Sequence, residues 1–409
     1  MTTAASDAEP PETGVDLFVA TTFGQVRNAA AIAAETGRDS RVLLITAANN
    51  RQLAARMIAH CEELGLRQRD AEAPVNGAMP LRRVVRAYHR LAADVFAETK
   101  VARLWLSNGD QVFSVLADAA ERAGAVVNFY EDGLSCYRRV DDPSFRSLSF
   151  KEQATLSGKA LRHQFGRIGR AITGAPQGQA GLRAEVRDLF HKIGVHAELL
   201  ALASAARPLL AKGPYFERRR AFEEAWVAFP EALDPGMVSA RRLRAIRPSV
   251  SADTVKAAKA DAVGAAPALY LSQTYGNSFE FYAAVAEALK ETGEPDICLK
   301  FHPREKDLRR TRLCEELTRR GVRWSAPDAL DAYPAEALFA TGAFRDVYGL
   351  TSTALLLGHA VEGGPAFHLL GRRTLALARA DAANAWRYDR LESDIALFER
   401  LWRTLDETP

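Results

Sequence analysis

The chain alternates between two kinds of run. Short, almost wholly apolar stretches at Val15–Ala20 (VDLFVA), 41–46 (RVLLIT), Val101–Leu106 (VARLWL) and 125–130 (AVVNFY) read as strands buried on both faces. Between them, 26–36, 52–65, Leu81–Glu98 and 111–124 carry apolar residues at helical spacing, and Gly37, Gly65 and Gly124 stand where three of these helices should stop. A strand-loop-helix-strand rhythm of this kind predicts a parallel sheet with helical crossovers. The loop after the first strand, Thr21-Thr22-Phe23-Gly24-Gln25, lacks a G-x-G-x-x-G dinucleotide fingerprint.

From about residue 141 the rhythm changes. Ala, Arg, Leu and Glu recur at helical spacing through 141–260, which reads as a helical insertion in the first domain. Small and polar residues at 249–266 form a linker or linker helix. The strand-helix rhythm then restarts, with strands expected at Ala268–Leu271, 296–301, 322–324, 346–348, 365–367 and 373–377. Helices are expected at 278–292, 307–320, 334–341, 353–361 and 389–406. The predicted organisation is a tail at 1–14, a Rossmann-like domain at 15–260, a second at 265–388 and a closing helix at 389–409. The fold class is α/β, with two domains separated by a cleft.

Composition narrows the function. The chain has 409 residues, 48% hydrophobic and 26% charged, with a net charge of +3, too small to imply a nucleic-acid partner by itself. Aromatic residues are sparse and no base-stacking motif occurs. The four cysteines are far apart, form no C-x-x-C pair, and fit a reducing cytoplasm. Residues 1–14 lack the charged and apolar regions of a signal peptide, and no apolar run is long enough for a membrane span. The expected location is cytoplasmic, with at most peripheral attachment to the inner membrane. Residues 138–212 contain 13 Lys/Arg against 6 Asp/Glu, either a solvated helical surface or one that holds an anionic partner.

The candidate chemistry lies at strand ends. His302-Pro303 closes the strand at 296–301, between Lys300 and Arg304. Proline cannot extend the ladder, so the imidazole is held at a carboxyl edge, where open α/β sheets bind ligands. Histidine can donate a proton near neutral pH, and the flanking cations suit a phosphate. Glu131-Asp132-Gly133 closes another strand; it is either a solvated turn or a carboxylate placed to deprotonate a hydroxyl. Thr351-Ser352-Thr353 precedes a helix, as a plain N-cap or an anion site. Glu336 follows Pro334 in a helical first turn, as a dipole-favoured acid or a ligand for vicinal ribose hydroxyls. Two further turn clusters, Ser272-Gln273-Thr274 and Ser107-Asn108-Gly109-Asp110, also follow strands.

Taken as a set and in this order, E-D-G, H-P, P-A-E and S-T resemble the bacterial sialyltransferases, most closely the group that includes the capsular polysialyltransferases. The opening Thr21–Ala29 stretch is similar to that family's first strand-loop, although Thr22 replaces a usual proline and Gly24 a usual leucine. The resemblance spans roughly residues 15–365, apart from 141–260. It implies a GT-B fold, two Rossmann-like domains facing across a cleft. It also implies an inverting, metal-independent transfer of sialic acid from CMP-sialic acid to a glycan hydroxyl, with no cofactor. Glu131 is then the general base, with Asp132 as its rival, and His302 the general acid for the departing CMP. Ser352 and Thr353 bind its phosphate and Glu336 its ribose, with Thr351, Pro303, Gln273, Thr274 and Lys300 also on the donor side. Thr22, Gln25, Asn28, Asn108 and Gly133 fall on the acceptor side. The partners implied are a CMP-sugar and a glycan acceptor, polyanionic if the basic segment serves it. A peripheral place at the inner membrane or in a capsule export complex is also implied. Transfer of another CMP-activated acid (Kdo, legionaminic or pseudaminic), a UDP-sugar enzyme and a non-catalytic glycan-binding protein are the competing readings.

Overall fold

The computed structural model describes residues 13–46, 51–72, 81–107, 113–138, 221–246, 250–273, 279–302, 305, 307–359, 363–380 and 388–407, and isolated positions between 151 and 200. Most of the basic stretch at 138–212, and the tail up to residue 12, lie outside them. The described residues form two compact units. The first holds residues up to Asp132 together with most of 221–246; the second holds 133–138, 231–234 and everything described from 250 onward.

The first unit is built on a seven-stranded sheet, parallel throughout. Its strands are β1 (Val15–Ala20), β2 (Ser40–Thr46), β3 (Arg67–Glu72), β4 (Val101–Leu106), β5 (Val126–Tyr130), β6 (Ala221–Val227) and β7 (Ser239–Ala245), in the spatial order β3-β2-β1-β4-β5-β6-β7. Helices α1 (Phe23–Thr36), α2 (Arg51–Glu63), α3 (Leu81–Glu98) and α4 (Phe113–Arg122) make the crossovers. Phe18, Val26, Ile32, Leu44, Met57, Trp105 and Tyr130 pack in one core cluster. Trp226 joins it edge-on to Trp105, with ring centroids 6.2 Å apart. The strand order reverses between β1 and β4, so the crevice that doubly wound sheets use for ligands opens at the loops after these two strands.

The helical expectation for 141–260 holds at Ala252–Asp261, which is helical, and is corrected over 221–246, where the chain adds β6 and β7 to the sheet. Their composition (AFEEAWV, SARRLRA) reads as helix because the polar residues are Glu and Arg. The strands hold those charges against each other: Arg242 meets Glu223 and Glu224, Arg241 meets Glu223, and Arg244 stacks over the Trp226 ring. Phe222, Ala225, Trp226 and Val227 meanwhile face the core. Such cross-strand pairs let an edge strand stay polar. The polar β3 was likewise unexpected, and it too is an edge strand.

The second unit carries a five-stranded parallel sheet of β8 (Ala268–Leu271), β9 (Asp296–Lys300), β10 (Arg323–Ser325), β11 (Asp346–Gly349) and β12 (Ala366–Leu369), ordered β10-β9-β8-β11-β12. Its reversal lies between β8 and β11. The helices are α5 (Ala252–Asp261), α6 (Phe279–Lys290), α7 (Asp307–Arg319), α8 (Asp328–Ala332), α9 (Ala335–Phe339), α10 (Thr353–His359), α11 (Gly371–Arg379) and α12 (Asp389–Glu407). The strand expected at 373–377 is corrected to α11, whose buried residues Gly371, Thr374, Leu375 and Ala378 follow helical spacing. Its start lies so close to α12 that a Cβ on Gly371 would come 2.9 Å from Ile395 Cγ1. No helix among the described residues is long and apolar enough to cross a membrane.

Candidate active site

Each unit presents loops at the carboxyl ends of its central strands, beside its own switch point. In the first unit the organiser is Gln25, buried in the opening turn of α1. Thr22 caps that helix in extended geometry (φ −140°, ψ 156°), and its hydroxyl accepts the Gln25 N–H at 3.2 Å. The Gln25 Oε1 takes the backbone N–H groups of Thr21 (2.5 Å) and Thr22 (3.1 Å) in return. This reciprocal capping box fixes the side chain. Its Nε2 then donates to Ser107 Oγ at 2.7 Å, at the end of β4, and to Asp132 Oδ1. One amide thus braces the loops after β1, β4 and β5. Thr22 and Gln25, expected on the acceptor side, are occupied with this bracing.

The two acids that follow β5 face different surroundings. Glu131 is 4% exposed, and its Oε2 accepts the Ala228 N–H at 2.6 Å. Its backbone is held on both sides: the N–H donates to Trp226 O (3.0 Å), and the carbonyl accepts Asn28 Nδ2 (3.1 Å). Asp132 is half-buried against Gln25. Asn28 therefore supports the acid through the main chain. Asn108 lies outside the described residues.

Gly133 begins the part of this motif that belongs to the second unit. Its φ is +78°, a region side chains rarely adopt, and a Cβ there would lie 3.0 Å from Thr353 Oγ1. The same hydroxyl accepts the Leu134 N–H at 3.2 Å. Gly133 and Leu134, more than two hundred residues from Thr353 in sequence, therefore meet it within the second unit.

The second unit's switch point has its own glutamine. Gln273, after β8, accepts the Thr351 N–H on Oε1 at 2.7 Å, and its Nε2 stands 3.5 Å from Thr351 Oγ1. Gln273 thereby fixes the loop carrying Ser352 and Thr353. The half-buried His302 follows β9 on a loop tied down from three directions. Phe301 N–H donates to Asp331 Oδ1 (2.8 Å), while Arg310 pairs with Asp331 Oδ2 (2.7 Å) and lies over the Phe301 ring at 4.9 Å. Lys300 is buried and gives its ammonium to the carbonyls of Leu330 (3.0 Å) and Asp331 (3.4 Å). It buttresses this loop. Glu336 stands in the first turn of α9, behind Pro334. Pro303 and Thr274 lie outside the described residues.

Glu305 was not singled out in the sequence. Its N–H donates to His302 O at 2.8 Å and its carboxylate accepts Ser272 Oγ at 2.5 Å, which joins the His302 loop to the loop after β8. Burial raises its pKa above the ordinary 4.5, against the opposing pull of Ser272, the His302 backbone, Arg309 and Arg310. The folded chain holds this proton more tightly than the unfolded chain, so stability falls as pH rises from the ordinary carboxylate value through the raised one. Glu305→Gln keeps an acceptor for Ser272 and removes this dependence. Melting curves at about pH 5 and about pH 8 should show the variant gaining on the wild type at the higher pH. An equal gap at both would contradict the assignment.

Each Rossmann-like unit gathers polar and ionisable side chains at loops near its own switch point, where open sheets of this kind bind ligands. The chain belongs to the alpha-2,8-polysialyltransferase (POLYST) family, whose sequence model matches residues 16–371, and is therefore a glycosyltransferase, a class that moves a sugar from a nucleotide donor to an acceptor. No curated protein matches it in sequence. Solved structures of similar fold include UDP-GlcNAc 2-epimerase from Neisseria meningitidis bound to UDP-GlcNAc, with 10% identity and a TM-score of 0.46 over 96% of this chain and 100% of that one. A glycosyltransferase from Rickettsia africae has 9% identity and a TM-score of 0.43, over 97% and 94%.

Proposed function

We propose that the chain transfers sialic acid from CMP-sialic acid to a glycan hydroxyl, with inversion and without a metal ion. The observation that carries the reading is the placement of Glu131 and His302, each at the carboxyl end of a strand beside a switch point, in a chain of this family. Glu131 takes the proton of the acceptor hydroxyl. The oxygen attacks the anomeric carbon from the face opposite the phosphate, the carbon–phosphate-oxygen bond breaks, and its electron pair stays on CMP. His302 gives its proton to that oxygen, and the hydroxyls of Ser352 and Thr353 hold the phosphate as its charge grows. Glu336 holds the ribose hydroxyls. Gln273 and Lys300 serve the donor indirectly, one by fixing the Thr351 loop and the other by propping the His302 loop. A polyanionic acceptor fits the surplus of 13 basic over 6 acidic residues at 138–212. Cytoplasmic residence, with peripheral attachment at the inner membrane or a capsule export complex, belongs to the same proposal.

The test is mass spectrometry of products from CMP-sialic acid with sialylated and galactosyl acceptors, in a chelator-containing buffer. A product heavier by sialic acid units, with equimolar CMP released, is expected. Kdo, legionaminic and pseudaminic donors run in parallel identify the preferred sugar. Thermal stabilisation by UDP and not by CMP, with no CMP released, would overturn the reading.

A further inference from the structure

Two phenylalanines of the first unit stand in water: Phe165 is 56% exposed and Phe190 70%, with Ile193 beside the latter at 40%. Each described position between 151 and 168, and each between 186 and 200, is helical. Ser157 Oγ and His196 Nδ1 hydrogen-bond at 3.0 Å, which joins the two helical runs. Both rings lie about two turns from that link. Phe165 continues a stripe with the half-buried Leu161 and Ile168 at i, i+4, i+7 spacing, and Phe190 shares a face with Ile193. Rings left in water forgo the gain of burial, so such a stripe marks a surface that meets an apolar phase.

The charges in the same stretch decide what that phase is. Residues 153–184 contain Lys159, Arg162, Arg167, Arg170 and Arg183, and no Asp or Glu. Arg162 is exposed one turn before Phe165. A polyanionic glycan would satisfy these cations but offers the rings nothing to cover them. A second copy of the chain would cover the rings but bring like charges together. An anionic bilayer does both. Its headgroups meet the cations, and its acyl boundary takes the rings, which is how basic amphipathic helices lie on membranes. The long Arg and Lys stems lie along that boundary while their heads reach the headgroups.

We propose that the face carrying Phe165, Phe190 and Ile193 docks on an anionic bilayer, the rings entering the headgroup boundary and the neighbouring cations holding its lipids. This contact rests on the peripheral attachment proposed above, which it places on named residues, and not on the transfer chemistry. The test is sedimentation of the full chain with vesicles of phosphatidylcholine alone or mixed with phosphatidylglycerol. The wild type should pellet with the mixed vesicles and stay in solution with the neutral ones. Phe165→Ser with Phe190→Ser should lower the partition coefficient about tenfold per ring. Phe165→Trp with Phe190→Trp should retain it, because Trp suits the same boundary. Arg162→Glu should weaken binding to the mixed vesicles without touching the rings. CMP release with a soluble acceptor and no vesicles should be unchanged in all these variants, which also shows that they are folded. A wild type that does not pellet, or a Ser double variant that pellets as well as the wild type, overturns the docking face. So does a Ser double variant that raises the KM of a polysialylated acceptor in solution while its vesicle binding persists, since the face then serves the glycan. A wild type that pellets but releases no CMP from CMP-sialic acid overturns the transfer reading and supports the docking face.

Discussion

Glu131→Gln is expected to lower transfer by about 10²- to 10⁴-fold while leaving the chain folded, the loss that follows removal of a positioned general base. The substitution is nearly isosteric, and the amide oxygen of Gln can still accept the Ala228 N–H that holds Glu131 Oε2 at 2.6 Å. A large loss therefore reports proton transfer and not collapse of β5. His302→Ala should cost a similar factor by removing the leaving-group acid. The pH profiles tell the two roles apart: a base must be ionised, so Glu131 governs the acidic limb, and an acid must hold its proton, so His302 governs the alkaline limb. Asp132→Asn settles which acid takes the proton. With Glu131 as base, the Asn variant keeps an oxygen for Gln25 and most of the activity; a loss matching that of Glu131→Gln would move the role to Asp132. Initial rates of CMP release check all three variants. Activity within tenfold of wild type in both Glu131→Gln and His302→Ala would remove the mechanism.

How far the sequence reveals this site depends on what each residue needs. β1, β4, β5, β8 and β9 are legible because both faces of a central parallel strand are buried and the run is almost wholly apolar. β3, β6 and β7 lie toward the sheet's two edges, where Glu–Arg pairs replace apolar packing, and their composition imitates a helix. Gly133 and His302-Pro303 are legible as local punctuation of the backbone. The bracing of the site is not. Gln25 reaches Ser107 and Asp132, and Gln273 reaches Thr351, because β1 lies beside β4 and β8 beside β11. Those adjacencies arise where the strand order reverses, which no local pattern announces. Ser272 and Glu305 likewise meet across 33 residues.

The same logic gives the two units a common plan. In each, the first strand's loop supplies a glutamine that ties down the loop after the strand across the reversal, and chemistry-bearing residues sit on the loops so fixed. Binding energy is then not spent on ordering these loops when substrates arrive, which favours rate over mere affinity. Asp331 and Arg310 extend the principle to His302: Asp331 accepts the Phe301 N–H before it, and Arg310 donates to the Glu305 carbonyl after it while pairing with Asp331.

The largest structural loss is expected at Arg138 and Asp394. Their side chains are 6% and 7% exposed, and the guanidinium also donates to Ser393 Oγ at 3.1 Å. Arg138→Met would take the guanidinium from the buried Asp394 carboxylate, and Asp394→Leu would take that carboxylate from the buried guanidinium. Each should cost about 3–5 kcal/mol, because an uncompensated buried charge loses its partner without regaining water. For a unit of this size that is a fall in melting temperature on the order of 10 °C. The double variant should recover much of the loss, since removing both charges also removes the desolvation cost of each. Function provides a second readout. Arg138 fixes the far end of the segment that begins at Gly133, so the single variants should lose activity at temperatures well below their unfolding, and the double variant should regain less activity than stability. Differential scanning calorimetry of the four proteins, with rates measured at one low temperature, checks both. Single variants within about 1 kcal/mol of wild type would show that water reaches the pair.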